Sequence, residues 1–170
     1  MTDKTPVEIE RKYVILIPAE ADLSAQQGYT SSEIRQTYLK SEPGVTRRVR
    51  MRSYAERTVY TETKKIRIDK ISSFEDEREI CEAEYLELIK LRADGTVTLT
   101  KTRHTFVYLG KTFEIDVYPE WHRSCIMETE LESREERVAM PEFIRVLVEV
   151  TGDKKYSNAS MSHSFPAELI

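Results

Sequence analysis

Apolar and polar positions alternate by two along most of this chain. Side chains of a strand point alternately to its two faces. The alternation predicts strands over residues 7–17, 33–40, 45–54, 57–68, 73–80, 96–104, 105–109, 112–118 and 125–132. Leu109-Gly110-Lys111 marks a hairpin turn. Helical spacing of apolar residues predicts a helix over 82–91. Shorter helices are predicted at 20–27, after Pro18, and at 141–148, after Pro141. Residues 151–170 are rich in small polar residues and read as loop plus tail. Ile144, Val146 and Leu147 read as core, and Tyr118 and Trp121 as exposed loop aromatics. Many short strands with few helices give an α+β, mainly β fold, a sandwich or a barrel.

The polar parity carries full charges. Glu8, Glu10 and Lys12 share one face of their strand, and Arg48, Arg50 and Arg52 share another, opposite Val49 and Met51. The same holds for Lys65 with Arg67, for Glu75 with Glu77 and Glu79, and for Lys101 with Arg103. Glu114 with Asp116, and Glu128 with Glu130, complete seven such strands. One of them alone is the wet side of an antiparallel sheet. Seven together need more, because several carry only acids or only bases. Like charges at i and i+2 repel unless counter-charges or ligands lie between them. Either the apolar face packs outward against helices, or the charged face lines something wet. A tunnel holding metal and polyphosphate supplies the missing counter-charges. Carboxylates take hard cations such as Mg²⁺ or Mn²⁺, and Arg and Lys take phosphate oxygens.

Composition narrows the partners. At 170 residues the expectation is a single domain over 1–170, with tails at 1–5 and about 160–170. Charged residues make up 33%, yet 26 basic and 30 acidic side chains leave a net charge of only −4. Arrangement therefore matters more than sum, and no nucleic-acid partner is expected. No apolar run approaches a membrane span, so no membrane association is expected. The N-terminus lacks the apolar stretch of a signal peptide. Cys81 and Cys125 have neither disulfide nor metal spacing, which fits a cytoplasmic location. A homodimer is left open by base rate alone. His104, His122 and His163 are too scattered for a zinc site. There is no Ser/His/Asp arrangement and no Gly-rich phosphate loop.

The strand Glu8-Ile9-Glu10-Arg11-Lys12 is an ExExK motif. In this the chain resembles the triphosphate tunnel metalloenzymes, the CYTH superfamily, and in particular its short bacterial inorganic triphosphatases. The rest follows in family order: Arg48-Val49-Arg50-Met51-Arg52, Thr63-Lys64-Lys65, Glu75-Asp76-Glu77, Lys101-Thr102-Arg103, Phe113-Glu114-Ile115-Asp116 and Glu128-Thr129-Glu130-Leu131. Val150 to Asn158 resembles the family's C-terminal segment. Ser72-Ser73 stand where the family often has a basic residue, and Glu120-Trp121-His122-Arg123 match nothing in it.

The resemblance implies an eight-stranded antiparallel β-barrel, open as a tunnel, with flanking helices. It implies that Glu8, Glu10, Glu128 and Glu130 hold Mg²⁺ or Mn²⁺. Lys12, Arg48, Arg50, Arg52, Lys65, Lys101 and Arg103 would neutralise a triphosphate, with Lys154 or Lys155 reaching the tunnel mouth. Glu75, Glu77 and Asp116 would hold a second metal or orient the attacking water, and Lys65 counts with them as catalytic. Glu79 and Glu114 read equally well as counter-charges to arginines. The implied activity is metal-dependent triphosphate hydrolysis, with inorganic tripolyphosphate favoured. Thiamine triphosphate or nucleoside triphosphate hydrolysis, adenylyl cyclisation as in class IV cyclases, and non-catalytic polyphosphate or nucleotide sensing are the alternatives.

Overall fold

A computed structural model describes residues 7–170; the expected tail at 1–5 lies outside them. The strands are β1 (Val7–Leu16), β2 (Gln27–Leu39), β3 (Val45–Ser53), β4 (Thr58–Arg67), β5 (Ser72–Ile80), β6 (Leu99–Tyr108), β7 (Lys111–Val117), β8 (Ser124–Glu130) and β9 (Val146–Glu149). The helices are α1 (Glu20–Ser24), α2 (Glu82–Leu88) and α3 (Asn158–His163). All strand pairs are antiparallel, in the order β5-β4-β3-β2-β6-β7-β8-β1-β9. A further pairing of β5 with β1 closes eight of the strands into a ring.

β1 makes that closure by changing partner along its length. Val7–Ile9 pair with β5, and Glu10–Leu16 pair with β8 on the other side. Past Ile9 the edge that β5 leaves would hold unpaired backbone groups, a costly state when buried. β9 covers it, pairing with Tyr13–Ile15. Val150 N donates to the Lys12 carbonyl at 2.8 Å and Leu16 N to that of Arg145 at 3.0 Å. This replaces the helix expected at 141–148: only a turn precedes the strand. Ile144 is buried, but Val146 and Leu147 are exposed on the edge strand rather than core.

Three apolar clusters among the described residues hold the ring. On its outer face Tyr13, Ile15, Phe106, Phe113, Ile115 and Met127 pack under Leu23 of α1 and the Val138–Ile144 stretch. Also outside, Val49, Ile80 and Leu39 pack under Tyr85 of α2. The third cluster is on the inner parity: Val14, Leu99, Tyr118 and Ile126 meet Val150, Tyr156 and Met161 of the C-terminal segment. Tyr118 and Trp121, expected as exposed, are 1% and 4% accessible in this cluster. The presumed tail at 160–170 is structured for the same reason. Met161 is buried, Trp121 Nε1 donates to the Pro166 carbonyl, and the Glu168 carboxylate accepts from the backbone N–H of His122, Arg123 and Ser124.

Smaller differences have local causes. β6 is one strand where two were expected, 96–104 and 105–109. β2 begins six residues earlier than the 33–40 expectation, past an irregularity at Gln27–Thr30 where Gly28 takes φ 64°. The β6–β7 hairpin turns at Leu109-Gly110, both at positive φ (48° and 76°). That pair of angles belongs to a type I′ turn.

Candidate active site

The inner parity of the ring borders a cavity of about 530 Å³. That lies within the roughly 300–1,000 Å³ of small-molecule sites. Glu8, Glu10, Lys12, Arg48, Arg50, Arg52, Lys65, Glu75, Glu77, Arg103, Glu128 and Glu130 all line it. Strand alternation places them there while their neighbours Tyr13, Ile15, Val49, Ile115 and Met127 fill the outer clusters.

The acids gather on β1, β5 and β8. Cross-strand pairing sets Glu10 beside Glu130 and Lys12 beside Glu128. Lys12 Nζ stands 3.0 Å from Glu128, and Lys65 Nζ stands 3.6 Å from Glu75 and 3.9 Å from Glu10. Two lysines do not balance this many carboxylates. Burial and the neighbouring Glu75 push Glu8 up to about 8. The Glu128 charge and burial push Glu10 up to about 7. Burial and the Glu114, Glu75 and Glu128 charges raise Glu130 as well. Burial also acts on Glu75, but the hydrogen bond from Glu8 and the charges of Arg48, Lys65 and Arg50 leave it lowered. The acidic wall is short of positive charge.

The bases gather on β3 and β6, and they are held in two ways. Arg103 is locked by carboxylates: Nε and Nη2 donate to Asp116 at 2.7 and 2.8 Å, and Nη1 donates to Glu114 at 2.5 Å. Arg50 and Arg52 are held by neutral groups, Gln36 and Ser32 respectively. Arg48 Nε is buried with no partner at all among the described residues. A buried donor left unpaired costs about 1–3 kcal/mol, and an anion oxygen is an acceptor that would satisfy it.

Four sequence-predicted residues fall outside the cavity lining. Lys101 and Asp116 lie beneath it, fully buried against each other at 2.7 Å. Asp116 serves Lys101 and Arg103 and sits well below the usual carboxylate range, since those two charges outweigh its burial. Burial lowers Lys101 to about 7, with Arg103 and Arg50 adding to it, although Asp116 pulls the other way. Both therefore support the wall rather than face the cavity. Lys154 and Lys155 are exposed, because the 3-10 turn Lys154–Tyr156 turns Tyr156 into the apolar cluster and its lysines out. Lys155 Nζ lies 5.3 Å from the Tyr156 ring centre. The nearby Thr151, Asp153, Ser157 and Asn158 line the cavity instead.

Gln36 and Tyr38 were not predicted. β2 carries no charge on its inner parity, so a pattern of charges passes over it. The available signal was a polar Gln36 and Ser32 on the parity opposite Glu33 and Arg35. Of the expected counter-charges, Glu114 is one, paired to Arg103. His104 faces outward, its Nδ1 2.9 Å from the Tyr29 hydroxyl.

The donor chemistry of the acidic wall suits a hard divalent cation: several carboxylates, crowded and short of positive charge. As they stand, no three of them converge on one point among the described residues.

A ring-closed antiparallel sheet with its charges inside is the tunnel architecture that the CYTH resemblance implies. No family model and no curated protein sequence matches the chain. Among solved structures, it is similar to the inorganic triphosphatase NE1496, at 25% identity and a TM-score of 0.60, over 94% of this chain and 97% of that one. It also shares its fold with the PH1819 protein of Pyrococcus horikoshii OT3 (21% identity, TM-score 0.53, 75% of this chain and 80% of that one). The PH1012 protein of the same organism is a further neighbour (19%, 0.56, 75% and 81%). These neighbours are consistent with the CYTH superfamily. No helix among the described residues is long and apolar enough to cross a membrane.

Proposed function

We propose that this protein hydrolyses a triphosphate with the help of Mg²⁺ or Mn²⁺, and that inorganic tripolyphosphate is the favoured substrate. The observation that carries the reading is the division of one cavity into an acidic wall and a basic wall, the basic one holding an unpartnered arginine nitrogen. Similarity to an inorganic triphosphatase supports the activity. The lining supports the substrate: Tyr38 is its one aromatic among the described residues, and its hydroxyl already accepts from Gln36 at 2.8 Å. Apart from Tyr38, no lining residue among those described offers an aromatic ring to a nucleotide or thiamine base.

Arg48, Arg50, Arg52, Lys12 and Arg103 bind and orient the phosphate chain, their placement substituting for a nucleophilic side chain. Glu8, Glu10, Glu128 and Glu130 would hold the cation, which would offset charge on the phosphate oxygens. Glu75 lies beside Lys65, ionised and within reach of the cavity, and accepts a proton from the attacking water. Glu77, fixed by the Thr63 hydroxyl at 2.8 Å, orients that water. Water attacks the terminal phosphorus, the bridging P–O bond breaks, and phosphate and pyrophosphate leave.

The test is a panel of tripolyphosphate, pyrophosphate, ATP and thiamine triphosphate, each with Mg²⁺ or Mn²⁺, scored for phosphate, pyrophosphate and cyclic AMP. Tripolyphosphate turned over fastest is the expected result. Cyclic AMP from ATP would replace hydrolysis by cyclisation, and binding without turnover would leave a sensor.

A further inference from the structure

The basic wall separates two ways of holding a buried arginine. Arg103 is gripped by Asp116 and Glu114, so most of its charge is answered within the protein. Outside the ring, Arg47 is likewise answered by Glu62 at 2.6 Å. Arg50 is as deeply placed, 9% accessible, yet its Nε and Nη2 both donate to the single amide oxygen of Gln36, at 3.0 and 2.7 Å. Gln36 is itself fully buried, and its amide nitrogen donates to the Tyr38 hydroxyl at 2.8 Å. The guanidinium can only donate, so the amide oxygen faces Arg50 and the amide nitrogen is left for the phenol. Every atom of the support is neutral.

A carboxylate at position 36 would give a stronger, charge-assisted grip. The neutral amide takes both N–H groups on its one oxygen and forgoes the charge. Burial and the adjacent Arg48 and Arg103 push Arg50 down to about 9, and Asp116, pulling the other way, does not outweigh them. Among the described residues the side-chain acceptor bonded to its guanidinium is Gln36, not a carboxylate.

We propose that Gln36 is a positioning residue for Arg50, aligned by Tyr38, which aims the guanidinium into the cavity while leaving its positive charge free for a polyanionic ligand. The inference rests on the triphosphate reading of the same cavity. It makes affinity for the phosphate chain depend on the absence of one negative charge behind the wall.

The experiment compares wild type, Gln36→Glu and Gln36→Met by calorimetric titration with sodium tripolyphosphate and by steady-state turnover, with melting temperature as a check on folding. Gln36→Glu keeps the shape and adds the charge. Its expected result is tripolyphosphate binding weaker by about ten- to hundred-fold, a matching rise in KM with little change in kcat, and an unchanged or higher melting temperature. Gln36→Met keeps Arg50 charged and removes its support, so kcat should fall more than KM rises. Binding by Gln36→Glu within about two-fold of wild type would overturn the inference alone, as would equal losses in the two variants, which indicate packing rather than charge. Wild type that fails to bind tripolyphosphate would overturn the function and the inference together. Should Gln36→Glu not fold, Tyr38→Phe tests the alignment: its loss of affinity should vanish in the Gln36→Met background, and additive losses would overturn the proposal.

Discussion

The inner parity of the ring has two regions with opposite character. On β1 it runs Glu8, Glu10, Lys12 and then Val14; on β8 it runs Glu130, Glu128 and then Ile126; on β6 it runs Arg103, Lys101 and then Leu99. Apart from Lys101, which lies beneath it, the charged part borders the cavity, and the apolar part lies under the C-terminal segment. Alternation by two selects a side of the sheet. What covers that side selects between water and hydrocarbon. The charged region is built for a ligand and leaves like charges close together, whereas the apolar region holds the structure.

The comparison makes graded predictions. The largest effect is expected from Glu10→Gln, in the wet region. Turnover should fall by about a hundred- to thousand-fold, while the melting temperature stays level or rises because repulsion with Glu128 is relieved. Survival of activity would mean Glu10 has no part in the chemistry. Asp116→Asn, at the boundary, leaves Lys101 and Arg103 short of their buried counter-charge and should destabilise by about 3–5 kcal/mol in denaturant titration. In the dry region Ile126→Ala should cost about 2–5 kcal/mol and leave kcat per folded molecule unchanged. A selective loss of kcat there would break the division.

A smaller effect is expected from pH in the absence of divalent cations. Glu8 and Glu10 rise from 4.5 to about 8 and about 7 on folding. The folded state then binds more protons than the unfolded one, so their contribution to stability is full below pH 4.5 and is lost as pH rises through 7 and 8. Glu128, lowered to about 2 because Lys12 and other cations outweigh its burial, stays ionised throughout that window. Melting temperature should fall over this range, and Glu8→Gln should flatten the fall. The smallest effect serves as a control outside both regions. Leu109 holds φ 48° in an exposed turn, and Leu109→Asn should stabilise by about 0.5–1 kcal/mol without touching activity.

Charge alternation made the walls legible, since acids and bases repeated at spacing two have no other economical arrangement. It found Glu8, Glu10, Arg48, Arg50, Arg52, Lys65, Arg103, Glu128 and Glu130 on the lining. It did not give depth. Lys101 and Asp116 share parity with Arg103 and Glu114, yet they sit under the surface, because parity says nothing of how far along a strand the cavity extends. It was silent on Gln36, whose part consists in having no charge. The C-terminal stretch misled for a related reason. Its small polar residues fill turns and caps, while a few large ones, Tyr156, Met161 and Phe165, do the packing. The helix expected over 141–148 rests on Pro141 as a start signal, whereas β9 forms against an edge of β1 that β5 leaves open, which local sequence does not contain.

The ring wears its oil outside and its charge inside, on alternate residues of the same strands. Such a design tolerates replacement far better than insertion. One residue added within the paired length of β1 would turn every later side chain to the opposite face, sending Lys12 outward and Tyr13 inward. Two residues would restore the facing and only shift the pairing. Descendants of a common ancestor with this fold are thus expected to drift freely in identity while keeping strand lengths, and to gather their length changes in the turns.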